Sequence, residues 1–313
     1  MTVYYKGSGQ YCYANSLAMA LSKEEEYDPG YLECLTGVAI SAFLTEDGLP
    51  FFSSKFNAPD KGINHALDHL GYNYTHYFSK MDDRFEGDKA FQELELLMES
   101  GPVIVGPVDM GKLVYIPNHA YLGGVDHYIV VHCVDRNNVY IHDPTGYPYM
   151  SLTREEFMRA WKAESIEYKM GSYSIWGNFE RISCPSHEEQ FLKADKQIKD
   201  NLLVEKSAND ENVGPKSILK IAEIISKGNL SDSLKGHLSF FSLQLGARRC
   251  SDFSAFYKPF DKERCLIKDL QGLHFGSAHV ALMRKNWKQM WEDLRMIADL
   301  EEQFQEKCMQ VSV

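Results

Sequence analysis

Gly9-Gln10-Tyr11-Cys12-Tyr13-Ala14-Asn15-Ser16-Leu17-Ala18-Met19-Ala20-Leu21 is the stretch around which the rest of the chain is organised. Ala14, Leu17, Ala18 and Leu21 fall at i, i+3, i+4 and i+7, one apolar stripe of a helix. Cys12 stands where that helix begins, after the flexible run Gly7-Ser8-Gly9. A thiol there meets unpaired backbone N–H groups and the positive end of the helix dipole, and both favour a thiolate. The dipole supplies roughly 0.3–1 kcal/mol at an exposed site, whereas one pKa unit is about 1.4 kcal/mol. A working nucleophile therefore needs a second cation, usually a histidine. Where that histidine lies decides the chemistry.

Working outward, the chain alternates strands and helices as far as Cys184. Ile63, Ala66, Leu67 and Leu70 give a short amphipathic helix that Gly71 is placed to end. Tyr72 to Phe78 reads as a strand. Phe91, Leu94, Leu97 and Met98 mark a helix closed by Gly101-Pro102. Val103-Ile104-Val105-Gly106-Pro107-Val108 is a continuous apolar run, the pattern of a central strand. A loop follows from Gly111 to Gly124. Asp126 to Val134 and Val139 to Asp143 then form two β-rich runs about Asp135-Arg136-Asn137-Asn138, a hairpin. Thr153-Arg154-Glu155-Glu156 has the capping-box form and predicts a helix through Trp161. Tyr173 to Ile182 is the last strand.

From Cys184-Pro185 onward the pattern turns helical: Glu188 to Val204, Pro215 to Lys227, Leu234 to about Cys250, and one long run from Ser277 to Lys307. Val280, Met283, Trp287, Trp291, Leu294 and Ala298 recur in that run at helical spacing, which predicts a core stripe. The expected organisation is an α+β domain over 1–184 and a helical domain over 185–313.

Composition narrows the partners. Hydrophobic content of 44% supplies a packed core, and a formal charge of −11 leaves no basic stripe for nucleic acid. The first residues lack a signal-peptide pattern, and no apolar run is long enough to span a bilayer. The expectation is a cytoplasmic protein without nucleic-acid or membrane partners. Cys12, Cys34, Cys133, Cys184, Cys250, Cys265 and Cys308 are odd in number and contain no CxxC pair, which disfavours disulfides and structural zinc. Most of them read as small buried hydrophobes.

A cysteine nucleophile needs a base within hydrogen-bond reach, and that base needs an orienter. His127 opens the first strand of the hairpin and Asp143 closes the second, so the turn at Asn137 returns both to the same end. Taken singly, each has a plainer reading: a satisfied surface histidine and an Asp-Pro turn. Taken together with Cys12, they read as catalytic. His132 and His142 alternate to the other face. His65 and His69 lie at i, i+4 on a helix, but no third ligand stands near them. His119 lies in the glycine-bounded loop, where it could gate a site.

Gln-Tyr-Cys-Tyr-Ala-Asn-Ser-Leu-Ala-Met-Ala-Leu, Gly-Pro-Val-Ile-Val-Gly, His-Tyr-Ile-Val-Val and Tyr-Ile-His-Asp-Pro together resemble the papain-like fold of the bacteriocin-processing double-glycine peptidases. With a helical domain following, the layout is similar to the family of butirosin biosynthesis protein H. Gly214-Pro215-Lys216-Ser217-Ile218-Leu219-Lys220-Ile221-Ala222 and Leu245-Gly246-Ala247-Arg248-Arg249 carry the second half of that likeness.

The resemblance implies a Cys12–His127–Asp143 triad and chemistry at an acyl group. The expected reaction is transfer of an acyl group from a thioester, such as one on an acyl carrier protein, to a small amine in secondary metabolism. The alternatives are a papain-like peptidase or amidase acting on peptides, and a non-catalytic binding module on the same fold. In papain-like peptidases the oxyanion-hole glutamine precedes the cysteine by several residues, whereas Gln10 precedes Cys12 by two. The hole then rests on Gln10 or on the Cys12 backbone N–H. The resemblance calls for no metal or organic cofactor.

Overall fold

The computed structural model describes residues 3–7, 10–23, 25–80, 86–228 and 230–310. Ser8 and Gly9 of the glycine-flanked run before Cys12, and Glu24 of the acidic run Glu24-Glu25-Glu26, lie outside the described residues. The elements in chain order are α1 (Cys12–Leu21), α2 (Pro29–Thr36), β1 (Phe43–Leu44), β2 (Pro50–Phe51), α3 (Pro59–Leu70), β3 (Tyr72–Ser79) and α4 (Glu86–Met98). There follow β4 (Val103–Asp109), β5 (Asp126–Val134), β6 (Asn138–Asp143), β7 (Tyr147–Thr153), α5 (Arg154–Trp161) and β8 (Ser172–Arg181). The remainder is α6 (His187–Ala208), α7 (Pro215–Ser226), α8 (Asp232–His237), α9 (Leu243–Tyr257), α10 (Lys262–Met283) and α11 (Trp287–Met309).

These elements form two compact units, Met1–Leu32 with Pro59–Pro185, and Glu33–Ala58 with Ser186–Val313. This differs from the expected division at 184/185 in one segment: residues 33–58 fold with the helices. The reason is hydrogen bonding between distant parts of the chain. Leu44 N–H donates to Asn212 O and Gly214 N–H to Ala42 O, while Arg249 donates to Glu33 Oε1 and to Phe52 O. Such pairings are long-range in sequence and leave no periodic trace.

In the first unit, six strands among the described residues form one antiparallel sheet in the order β3-β8-β4-β5-β6-β7. The apolar run of β4 is buried along its whole length, as a central strand with both faces covered must be. Alternate residues of β5 serve opposite faces. Ile129 and Val131 pack with Phe91 and Leu94 of α4 and Phe157 and Trp161 of α5, while Val130 packs with Met19 of α1. Helix α1 is buried on every side from Tyr13 to Leu21, so the stripe read from sequence is only part of its buried surface. The capping box at Thr153 forms as its sequence predicts. Gly71 ends α3 at φ +80°, and a Cβ there would meet the Ser183 carbonyl oxygen at 2.7 Å, so only glycine fits. Strand β7 escaped the sequence reading, because Leu152 alone among Tyr147 to Thr153 is buried.

Among the described residues the second unit is helical apart from the pair of two-residue strands β1–β2. Its core holds Ile218, Ile221 and Ile225 of α7, Phe275 and Ala278 of α10, and Leu294 and Ile297 of α11. The helix expected to end near Cys250 runs on to Tyr257, since Phe256 and Tyr257 pack their rings on Phe191 of α6. The single long helix expected over 277–307 is two. Lys285 takes a left-handed conformation at φ 54°, and the Asn286 side chain caps α11 by accepting from Gln289 N–H. The expected core stripe divides with it: Leu294 and Ala298 are buried, but Val280 and Met283 are exposed.

Glu205 of α6 is buried with Ser54 Oγ at 2.7 Å from Oε1. Burial raises its pKa to about 7 against the opposing Ser54 bond, and the nearby Glu301 carboxylate adds to the rise. A carboxyl with a raised folded pKa contributes stability below its unfolded value, and that stability is lost as pH climbs through the folded value. Between pH 5 and pH 8 the second unit is therefore expected to lose about 3 kcal/mol through this group. Glu205→Gln should flatten that part of the pH–stability curve, read by urea denaturation across the interval.

Candidate active site

Cys12 is the first residue of α1 and is partly exposed. The residue before it, Tyr11, sits in the left-handed region at φ 74°, ψ 43° with its ring buried. That conformation costs a non-glycine residue about 1–3 kcal/mol. It is held by Asn15, whose backbone N–H and side-chain Nδ2 both donate to the Tyr11 carbonyl at 2.9 Å. The sharp entry sets Cys12 at the start of the helix with its sulfur toward β5.

His127 lies near the start of β5 and is buried. Its Nε2 is 2.7 Å from Asp143 Oδ1 at the end of β6, and its ring hydrogen-bonds the Cys12 thiol. With Nε2 spent on Asp143, Nδ1 is the nitrogen facing sulfur. The hairpin register pairs Val130 with His142 and Val131 with Ile141, which returns Asp143 to the end of the hairpin that carries His127. The structure thus brings together Cys12, His127 and Asp143. Gln10 stands two residues before Cys12, and its backbone carbonyl accepts from Asn15 Nδ2 at 3.4 Å.

Asp143 is fully buried and its carboxylate is saturated with donors. Oδ1 also accepts from Thr145 N–H at 2.8 Å and Thr145 Oγ1 at 2.6 Å, and Oδ2 accepts from Tyr115 Oη at 2.8 Å. Burial alone would raise its pKa, but the His127 charge, the His127 bond and the Thr145 bonds outweigh it and hold the pKa below the usual carboxylate value. For His127, burial pulls the pKa down, and the Asp143 charge and bond with the Cys12 contacts outweigh it, so the ring stays protonated above the ordinary imidazole range. A protonated ring beside the sulfur is the second cation that the helix start alone does not supply.

Tyr115 and Thr145 were not singled out from sequence. Tyr115 lies in the aperiodic 111–124 loop and leaves no signal. Asp-Pro-Thr did carry one, since an aspartate commonly bonds the backbone two residues on.

The other histidines do different work. His132 and His142 stack at 4.4 Å. His142 donates from Nε2 to Val3 O and accepts at Nδ1 from Tyr149 N–H, which fixes it neutral. His119 bonds the Gly111 carbonyl through Nδ1. The His65 and His69 rings stack at 6.4 Å. A second nucleophile-like arrangement, Ser174–His76–Asn64, is inert by its tautomer. Asn64 Oδ1 accepts from Trp176 Nε1, so Asn64 Nδ2 donates to His76 Nδ1. His76 Nε2 must then carry the proton and donate to Ser174 Oγ at 2.8 Å, and cannot act as its base.

All seven cysteines are free; Cys34, Cys250 and Cys308 are buried, whereas Cys133 and Cys184 are exposed, contrary to the expectation that most would be buried. Among the described residues, no helix is long and apolar enough to cross a membrane.

An antiparallel sheet with a cysteine-bearing helix on one face, and a histidine and aspartate on adjacent strands, is the α+β, papain-like arrangement. Residues 108–172 match the Peptidase C39 family, a span that contains His127 and Asp143 but not Cys12. Residues 208–309 match the YobF C-terminal domain. Over 308 residues the chain is 33% identical to the uncharacterized protein YobF of Bacillus subtilis (strain 168), covering 98% of both chains. The chain belongs to the YobF family. It is also similar to the crystal structure of a C39-like peptidase candidate from Bacillus anthracis, at 17% identity and a TM-score of 0.38, covering 56% of this chain and 94% of that one. By its own elements the architecture is α+β and papain-like in the first unit and helical in the second. The likeness to a C39 peptidase stands at that level; the narrower assignment to the butirosin biosynthesis protein H family is not what these comparisons return.

Proposed function

We propose that the protein is a cysteine-nucleophile hydrolase of the C39-peptidase type, acting on an amide carbonyl of a peptide. The observation that carries this reading is the His127 ring bonded to Cys12 on one side and to the Asp143 carboxylate on the other. In this mechanism Cys12 sulfur attacks the carbonyl carbon, and the oxyanion is received by the Cys12 backbone N–H at the helix start or by Gln10. His127 gives its proton to the leaving amine, which leaves a thioester on Cys12. His127 then takes a proton from water as the water attacks, and Cys12 departs as thiolate. Asp143 orients the ring and supports its charge throughout.

Transfer to an amine rather than water uses the same first half-reaction. That version, with an acyl carrier protein as donor and a small amine as acceptor in secondary metabolism, rests on the likeness to the butirosin biosynthesis protein H family. The Peptidase C39 match favours hydrolysis. A cytoplasmic setting is expected for either.

The test is incubation with a peptide panel and with a panel of acyl thioesters with and without small amines, read by product mass and by the intact mass of the enzyme. Peptide cleavage through a Cys12-linked acyl adduct is the expected result. Amide products formed only from thioesters would move the assignment to transfer. No adduct with either panel, and identical behaviour of Cys12→Ala, would leave a non-catalytic binding module.

A further inference from the structure

Residues 110–125 show no apolar period, yet the fold closes them into a compact loop whose two ends meet. Met110 N–H donates to the Val125 carbonyl at 3.0 Å. Asp109, buried just ahead of the loop, gathers both ends. Its Oδ1 accepts from Gly111 N–H at 2.8 Å and from Gly124 N–H at 3.2 Å, and its Oδ2 accepts from Ser165 Oγ at 2.6 Å. At the neck the two backbones touch: a Cβ on Gly111 would stand 2.6 Å from Gly123 Cα, so only glycine fits there. Leu113 and Ile116 are buried in the core that holds Val108 and Ile129. Tyr115 lies between them, with its ring 5.5 Å from that of Tyr147.

The loop thereby presents one hydroxyl to the buried Asp143. Tyr115 Oη donates to Oδ2 at 2.8 Å, while His127 Nε2 and both Thr145 donors converge on Oδ1. Burial, and after it the Asp143 charge, lift the Tyr115 pKa well above the ordinary tyrosine value, so the hydroxyl keeps its proton and serves as a donor. A carboxylate bonded on both oxygens cannot rotate away from His127 without breaking a bond. The Tyr115 bond also weighs differently in the two states of the ring. While His127 is protonated, the imidazolium answers the carboxylate charge. Once the ring is neutral, the Tyr115 and Thr145 donors carry more of that charge, so Tyr115 favours release of the His127 proton against the pull of Asp143. A group that gives a proton to a leaving amine and takes one from water works best when it does not hold that proton too tightly.

We propose that Tyr115 is a positioning residue for the triad: its hydroxyl, held out by the closed loop, fixes the Asp143 carboxylate through Oδ2 and sets how firmly Asp143 keeps the proton on His127. This rests on the reading of Cys12, His127 and Asp143 as a catalytic triad.

The pair is read directly in a Cys12→Ala chain, where no thiol is coupled to the ring. Imidazole resonances of histidine-labelled protein are followed by NMR across pH, and His127→Gln identifies the His127 signal. Its midpoint should fall on Asp143→Asn. Tyr115→Phe, which keeps the ring and deletes the hydroxyl, should instead raise it by about half a pH unit to one unit, one bond's share of a carboxylate shift. Tyr147→Phe, which removes the neighbouring hydroxyl, should leave it in place. With Cys12 restored, Tyr115→Phe should lower kcat on the order of 10-fold with KM unchanged, and move the alkaline limb of the pH–rate profile upward. A midpoint that falls on Asp143→Asn but does not rise on Tyr115→Phe overturns the role of Tyr115 and leaves the triad standing. An equal rise on Tyr147→Phe overturns it too, since ring packing and not the Asp143 bond would then be at work. A midpoint that Asp143→Asn leaves in place overturns the triad reading and the proposal together.

Discussion

Cys12→Ala is expected to lower turnover by about 10⁵–10⁶-fold while leaving the protein folded. The sulfur is the atom that forms the acyl bond, and no other nucleophile stands at the His127 ring among the described contacts. Cys12 is partly exposed at a helix start, so truncation opens no large cavity. Residues that act as a unit are strongly non-additive. The double change Cys12→Ala/His127→Ala should therefore be no worse than Cys12→Ala alone, and Asp143→Ala should cost less than either single change. Asp143→Asn carries a distinct signature. The Asp143 charge is what keeps the ring protonated against its burial. Without it, the alkaline limb of the pH–rate profile should move down toward the ordinary imidazole range. The readouts are steady-state kinetics on the substrate identified by the panels above and thermal melts of each variant.

The largest stability effect is expected in the helical unit. Lys268 Nζ lies 2.9 Å from Glu301 Oε2 and 2.8 Å from Gln271 Oε1, with both charged side chains almost wholly buried. Gln271 Nε2 donates to Glu301 Oε2 at 2.9 Å and to Ile297 O at 3.2 Å, tying α10 to α11. Burial raises the Glu301 pKa, but the Lys268 charge and the Gln271 bond outweigh it, so the carboxyl ionises below its usual value. Lys268→Met strands that carboxylate in the core and should destabilise by about 3–5 kcal/mol. The pair itself contributes far less, because two desolvated charges offset most of their attraction. Lys268→Met/Glu301→Leu should accordingly recover most of the loss in urea denaturation. A double variant as unstable as the single one would mean that the network, and not the isolated charge, carries the stability.

How far the sequence disclosed this molecule follows from which interactions leave a periodic trace. Cys12, His127 and Asp143 were legible because each stands at the end of a strongly patterned element, and a hairpin must return its ends to one place. The capping box at Thr153 and the stop at Gly71 were legible because single residues determine them. The left-handed Tyr11 was not, since nothing in an aromatic residue predicts positive φ. Its conformation is imposed by Asn15 and by burial. Residues 33–58 were misplaced because polar bonds fix them to the helical unit, Ser54 to Glu205 and Glu33 to Arg249, across 151 and 216 positions. The break at Lys285 was hidden by an apolar rhythm that continues across it. In Val280 and Met283 that rhythm marks an outward face, since periodicity finds a stripe without saying which neighbour covers it.

The measurement that tests the central claim most directly is alkylation by iodoacetamide across pH, resolved by peptide mass spectrometry over all seven cysteines. The account predicts that Cys12 is alkylated ahead of the exposed Cys133 and Cys184. It also predicts that His127→Ala removes that advantage. A Cys12 that reacts no faster than Cys133, with a profile unchanged by His127→Ala, would contradict the claim that these three side chains form a working nucleophile.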